Sequence, residues 1–284
     1  MKLIRYGFPG EERPGVLDAN SRIRRLPAAT ADFSGENLLS TIAALRNIDV
    51  GALPIVDAAP RIAPPLRGIG KIICVGLNYT DHARETGQAP PAEPILFLKA
   101  PSSIVGPDDD IVLPPGAEKG DWEVELGVVI GKEARYVAPN RAMEHVAGFC
   151  IVNDLSERSY QLERGGQWDK GKGCDTFCPL GPYLATVGEV GDFRSLGLHC
   201  KVNGRVVQAG NTRDMIFDVP FLVHYISQFM SLQTGDLICT GTPHGVGLGM
   251  KPPQWLREGD VVELAIDGLG TQRQRVTRAV VGPG

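Results

Sequence analysis

The sequence predicts an α+β protein that is mainly β, with a small α/β unit at its N-terminus. Three observations carry this. From Asp121 to Gly131 every second residue, Trp122 to Ile130, is a large apolar one, the period-2 signature of a strand. Gly148 to Asp154 is a short apolar run ended by a turn signal. Asn203-Gly204 separates Leu198–Val202 from Arg205–Gln208, a strong two-residue hairpin signal.

In chain order, Lys2 to Tyr6 and Val16-Leu17 read as strand fragments, punctuated by Pro9-Gly10 and Pro14-Gly15. Leu38, Leu39, Ile42 and Leu45 recur at helical spacing. From Pro54 to Gly70 the composition shifts to Pro, Ala and Gly, a linker or irregular crossing segment. The expected division is therefore residues 1–66 as a small domain plus linker and 67–284 as the main domain. Lys71 to Gly76 is a buried-strand candidate. A helix of one to two turns follows, with Thr80 as its N-cap and Gly87 just past its end. After Asp154, Leu155 to Arg164 is polar and helix-compatible, and Gly165 to Gly173 is a glycine-rich loop carrying two lysines. The rest is largely β. Asp218 is expected to cap a helix with Leu222, Tyr225, Ile226, Phe229 and Met230 inward. Leu237 to Cys239 runs into a glycine-rich turn at Thr240 to Gly247, whose amides can approach an anion closely. Asp267-Gly268 is a weaker hairpin signal.

The chemistry concentrates on carboxylates. In the strand from Asp121, Trp122, Val124, Leu126, Val128 and Ile130 share the core face, and Glu123 and Glu125 share the other, roughly 7 Å apart. A solvated outer sheet face yields the same alternation. Facing inward, the two carboxylates would repel and lose hydration, a conflict a divalent cation resolves. Asp154, ending the next apolar run, adds a third carboxylate, although a plain helix N-cap has the same sequence. An all-oxygen set of this kind suits Mg²⁺, Mn²⁺ or Ca²⁺ rather than zinc. His82 and Glu85, three apart on a short helix, form either an exposed polar pair or a carboxylate-oriented general base. Arg158 and Gln161 fall on one helix face, and Arg158 is suited to clamp a substrate carboxylate.

Composition excludes several classes. A net charge of −4, a pI near 5.8 and no basic block argue against nucleic acid or acidic membranes as partners. No apolar run is long enough to span a bilayer, and Met1 to Gly7 lacks a signal-peptide core. Six cysteines without secretory context read as reduced thiols of a cytoplasmic protein. Cys174 and Cys178 lack zinc spacing and a nearby second pair.

Six ordered motifs make the chain resemble the fumarylacetoacetate hydrolase superfamily, in its single-catalytic-domain, acylpyruvase-like branch. They are Gly76-Leu77-Asn78-Tyr79 with Asp81-His82 and Glu85, Asp121 to Gly127, Asn153-Asp154 with Arg158 and Gln161, Gly171 to Phe177, Thr240 to Pro243, and Gly245-Val246-Gly247. The resemblance covers residue 70 or so to the end, and the N-terminal unit looks like the small variable domain of many members. It implies a mainly antiparallel mixed-β roll, a homodimer, and Mg²⁺ or Mn²⁺ on Glu123, Glu125 and Asp154. It implies a water-activating His82–Glu85 dyad on a mobile lid, and it makes Lys172, not Lys170, the active-site lysine. Arg158, Gln161 and Thr242 match substrate-contacting positions.

The substrate so implied is a small 2-oxo acid. The first expectation is hydrolysis of a 2,4-diketo acid, in particular a 2,4-diketo-3-deoxy sugar acid, at C3–C4 to pyruvate and a carboxylic acid. The alternative is a lyase, decarboxylase or isomerase of the ureidoglycolate lyase, oxaloacetate decarboxylase or hydroxyhepta-diene-dioate isomerase type. A non-catalytic protein with a structural cation is the third, and the complete dyad argues against it.

Overall fold

The computed structural model describes residues 1–57 and 59–280. The N-terminal part contains β1 (Lys2–Tyr6), β2 (Arg13–Leu17), β3 (Ile23–Arg25), α1 (Leu38–Leu45) and β4 (Ile62–Ala63). Next come β5 (Ile72–Gly76), α2 (Thr80–Glu85), β6 (Ile95–Lys99), β7 (Ile104–Val105) and β8 (Ile111–Leu113). The central elements are β9 (Gly120–Asp121), β10 (Val124–Ile130), β11 (Val146–Asn153), β12 (Ser156–Glu157), α3 (Arg158–Leu162) and α4 (Asp169–Lys172). The chain continues through β13 (Cys178–Thr186), α5 (Val187–Val190), β14 (Gly197–Val202), β15 (Arg205–Asn211) and α6 (Val219–Ile226). It ends with β16 (Leu237–Cys239), β17 (Val261–Ile266) and β18 (Gly270–Arg278).

These strands build an 11-stranded sheet with the path β3-β2-β1-β13-β11-β10-β16-β5-β6 and a 5-stranded sheet ordered β15-β14-β17-β18-β8. Pairing is mostly antiparallel, with β16·β5, β13·β7 and β18·β8 parallel. This is the expected α+β, mainly β, mixed roll. The apolar face of β10, from Trp122 and Val124 to Ile130, packs with Leu198, Val262, Leu264 and Val276 of the smaller sheet in one core. The opposite face of the large sheet forms a second core, where Val129, Cys150 and Val152 meet Leu38, Ile42 and Leu45 of α1. β10 lies inside the large sheet with apolar layers on both sides, so Glu123 and Glu125 do not face bulk water. The N-terminal strands continue this sheet, β1 pairing with β13 at Leu3↔Leu184, and the division expected at 66/67 would fall between β4 and β5.

The hairpin at Asn203-Gly204 is present, both residues taking the positive φ (52° and 77°) that a type I′ turn demands. Asp218 caps α6 by accepting from Phe221 N at 3.0 Å. Several local expectations need correction. α6 stops at Ile226, which leaves Phe229 at 63% exposure and Tyr225 half-buried rather than inward. Tyr79, not Thr80, occupies the N-cap position of α2, and no side chain caps it. Leu39 faces outward. The helix expected over 155–164 is confined to Arg158–Leu162 because β12 pairs with β9 first, so Glu157 rather than Asp154 is its N-cap. The end of the glycine-rich loop coils into α4. Among the described residues no helix is long and apolar enough to cross a membrane.

Candidate active site

Antiparallel register brings the carboxylates together. Val124 pairs with Asn153, and Asp154 N donates to Glu123 O at 2.9 Å, so Asp154 stands across from Glu123. Glu123, Glu125 and Asp154 are all buried, and one oxygen of each lies within 4.8 Å of the others. Glu123 and Glu125 line a cavity of about 480 Å³, together with His82, Glu85, Arg158 and Lys172.

The surrounding charges are arranged unevenly. Lys172 Nζ donates to Glu123 Oε2 at 2.8 Å and to Asp154 Oδ2 at 2.9 Å. Arg158 spreads its guanidinium over three partners, Asp121 Oδ2 at 2.8 Å, Glu123 Oε1 at 2.6 Å and Gln161 Oε1 at 2.9 Å. Lys99, buried behind the site, lies 2.7 Å from Asp154 Oδ1, off the hydrogen-bond direction, so that oxygen accepts no hydrogen bond. Burial alone would raise Glu123, but Lys172 and Arg158 outweigh it and hold the group at about 2. Among the described residues Glu125 makes no ion pair and accepts a hydrogen bond from Gly241 N at 2.8 Å. Burial, then Asp154 and Glu123, push its carboxyl well above the ordinary range. Four buried carboxylates, counting Asp121, thus face three buried cations, and the uncompensated charge sits at Glu125. A divalent cation would more than offset that one excess negative charge, and the all-oxygen donor set suits a hard one.

The dyad lies on the facing side of the same cavity. Nδ1 of His82 is 3.5 Å from Glu85 Oε2, and Glu85 accepts from Gly245 N at 3.0 Å through both oxygens. Gly245 has φ +99°, and an added Cβ would lie 1.9 Å from Val207 O, so no side chain fits there. The glycine-rich turn does hold anions on its amides, but they belong to the protein: Glu125 on Gly241, Glu85 on Gly245, and Asp121 on Gly247 and Leu248. Asp81 Oδ2 reaches His244 Nδ1 at 2.6 Å, so α2 is docked onto this turn at both ends.

Every residue expected at the site gathers here. Lys172 is buried in the cavity wall, whereas the side chain of Lys170 turns away to donate to Arg164 O. Gly171 makes this possible, since α4 lies so close to α3 that a Cβ would meet Glu157 O at 2.4 Å. Thr242 lines the cavity, but its hydroxyl donates to Val124 O and accepts from Gln208 Nε2. Three contributors had no role in the sequence reading. Asp121 stood inside the alternating stretch without a partner in view, and His244 stood inside the glycine-rich turn. Lys99 carried no local signal at all.

The β scaffold thus buries three carboxylates that could hold a cation, in a cavity shared with a His–Glu pair, the arrangement of an enzyme. The fumarylacetoacetate (FAA) hydrolase C-terminal family matches residues 71–277, and the chain belongs to that family. It is 50% identical over 278 residues, 98% of this chain and 96% of the other, to the 2,4-didehydro-3-deoxy-L-rhamnonate hydrolase of Sphingomonas sp. (strain SKA58). Its structure resembles the fumarylacetoacetate hydrolase of psychrophilic Exiguobacterium antarcticum, with TM-score 0.87, 37% identity and coverage of 98% and 100%. It also resembles 2-hydroxyhepta-2,4-diene-1,7-dioate isomerase from Mycobacterium marinum, with TM-score 0.76, 32% identity and 98% coverage of each chain.

Proposed function

We propose that this protein hydrolyses the C3–C4 bond of a 2,4-diketo acid, specifically a 2,4-diketo-3-deoxy sugar acid, releasing pyruvate and a carboxylic acid. The observation that carries the reading is one cavity lined on one side by Glu123 and Glu125 and on another by His82 and Glu85. The similarity to a rhamnonate-derived diketo acid hydrolase supports the substrate class.

Glu123, Glu125 and Asp154 would hold Mg²⁺ or Mn²⁺, which when bound supplies a Lewis acid for the C1 carboxylate and C2 carbonyl. Glu85, itself fixed by Gly245 N, faces Nδ1 of His82 and leaves Nε2 free as the base. Water adds to C4 as its proton passes to His82. Lys172 donates to the oxygen on C4, where negative charge develops. The C3–C4 bond then breaks, its electron pair passes to C3, and protonation there completes pyruvate. Arg158 and Gln161 orient the carboxylate end.

An isomerase or decarboxylase working at C3 without added water is the second reading, favoured by the similarity to the M. marinum isomerase. The test is product identification by mass spectrometry after incubation with Mg²⁺ and a panel of 2,4-diketo and oxaloacetate-type acids. Stoichiometric pyruvate and carboxylic acid are expected. Isomerised product or CO₂ from the best substrate would favour the second reading.

A further inference from the structure

The outer half of the cavity differs in chemistry from its floor. The floor is charged and buried, and its two cations, Arg158 and Lys172, are already committed to Asp121, Glu123 and Asp154. Towards the mouth the lining turns to half-buried and exposed residues, chiefly Phe97, Trp168, Leu162 and Met250. Phe97 and Trp168 meet edge to face, with centroids 5.3 Å apart at 64°. Their placement is built in. Trp168 lies against Gly76 at the end of β5, where an added Cβ would be 2.7 Å from Cζ3 of the indole. Glycine at 76 therefore makes room for a tryptophan that forms one wall. Among the described residues the only cation lining the mouth is Lys251, and it is exposed.

We infer that Trp168, backed by Phe97 and Gly76, forms a specificity subsite for a neutral aliphatic distal chain rather than for a second carboxylate. This rests on the proposal that the floor takes the 2-oxo acid end. A hydroxyalkyl chain lays its C–H face on the indole, whose π face carries negative potential, and turns its hydroxyls to water at the open mouth. A distal carboxylate would lose hydration against the same wall, where the nearest buried cation, Lys172 over the Phe97 ring at 5.1 Å, is already paired with Glu123 and Asp154. Trp168 thus selects sugar-derived or short acyl chains over dioates by differential desolvation.

The experiment measures binding without turnover, by calorimetry in saturating Mg²⁺, using oxalate, pyruvate, 2-oxohexanoate and 2-oxoadipate. The wild-type protein is expected to bind 2-oxohexanoate about tenfold more tightly than pyruvate, from burial of the added methylenes, and more tightly than 2-oxoadipate. Trp168→Ala should erase the gain over pyruvate and leave oxalate affinity unchanged, because oxalate reaches only the floor. Trp168→Phe should restore part of it. Equal or tighter binding of 2-oxoadipate, lost in Lys251→Ala, would overturn the inference in favour of a distal-carboxylate subsite. Loss of oxalate binding in Trp168→Ala would make Trp168 a structural residue and also overturn it. If none of the four ligands binds, the subsite and the 2-oxo acid reading fall together. If the chain-length preference holds while no diketo acid is hydrolysed, only the hydrolase reading fails.

Discussion

Arg158 Nε donates to Asp121 Oδ2 at 2.8 Å, and the same buried carboxylate accepts from Gly247 N at 2.7 Å and Leu248 N at 3.1 Å. Asp121 therefore ties the arginine at the carboxylate floor to the turn whose Gly245 N holds Glu85. It is not among the residues that line the cavity or form the acidic cluster, so its expected role is positioning. Asp121→Asn keeps the shape but turns an amide donor towards donors on one side. The expected result is a loss of kcat/KM of about 10–100-fold, with Mg²⁺ affinity little changed. Wild-type kinetics in this variant would show that the link does not matter.

Glu125 should limit the metal-free stability. Its carboxyl is buried beside Glu123 and Asp154, which disfavour its charged form, and it accepts from Gly241 N. Glu125→Gln keeps an acceptor for Gly241 N and removes that repulsion, which is worth about 1 kcal/mol or more. The metal-free variant should melt about 2–4 °C higher than the metal-free parent. The stabilisation that Mg²⁺ confers on the parent should be lost. A variant that still responds fully to Mg²⁺ by thermal shift would remove Glu125 from the ligand set.

Gly249 sits over the dyad, where a Cβ would come within 2.3 Å of Glu85 Cδ and Cγ. Gly249→Ala should displace the flexible Glu85 side chain from Gly245 N rather than disturb the backbone. The expected outcome is a drop in kcat of about 10²-fold or more, the scale of general-base catalysis, with an unchanged melting temperature. Unaltered kcat would mean that Glu85 does not orient His82.

α2 is six residues long and is held by side chains, Asp81 on His244 and Glu85 on Gly245 N. A helix this short is marginal without such contacts. His244→Ala should speed amide hydrogen exchange across residues 80–86 and leave β10 and β11 protected. Added oxalate with Mg²⁺ should slow exchange in the parent by closing the helix over the site. Strong protection that responds to neither change would mean that α2 is a fixed wall and not a lid.

Much of the site was legible because it follows strand periodicity. Trp122 to Ile130 alternate, so Glu123 and Glu125 had to share a face, and Asp154 had to end a neighbouring strand. What the alternation left open was whether that face meets water. The answer depends on β10 lying between β11 and β16, and β16 comes from more than a hundred positions further along the chain. The same distance hid Asp121, whose partners Gly247 and Leu248 return from the far end of the chain. Lys99 ends a strand like many surface lysines, and only the tertiary fold places it against Asp154. Phe229 was misread because helical spacing continued past Ile226 while the helix did not.

Incorporation of ¹⁸O from H₂¹⁸O tests the central claim most directly. If, with Mg²⁺ and a 2,4-diketo acid, water activated by His82 adds at C4 as proposed, one labelled oxygen should appear in the released carboxylic acid. None should appear in the carboxylate of pyruvate, whose C1 is never attacked. His82→Ala should slow this labelled release by about 10²–10⁴-fold. Products that form at the parent rate without label in the carboxylic acid would contradict hydrolysis at C3–C4 and leave a lyase, decarboxylase or isomerase in its place.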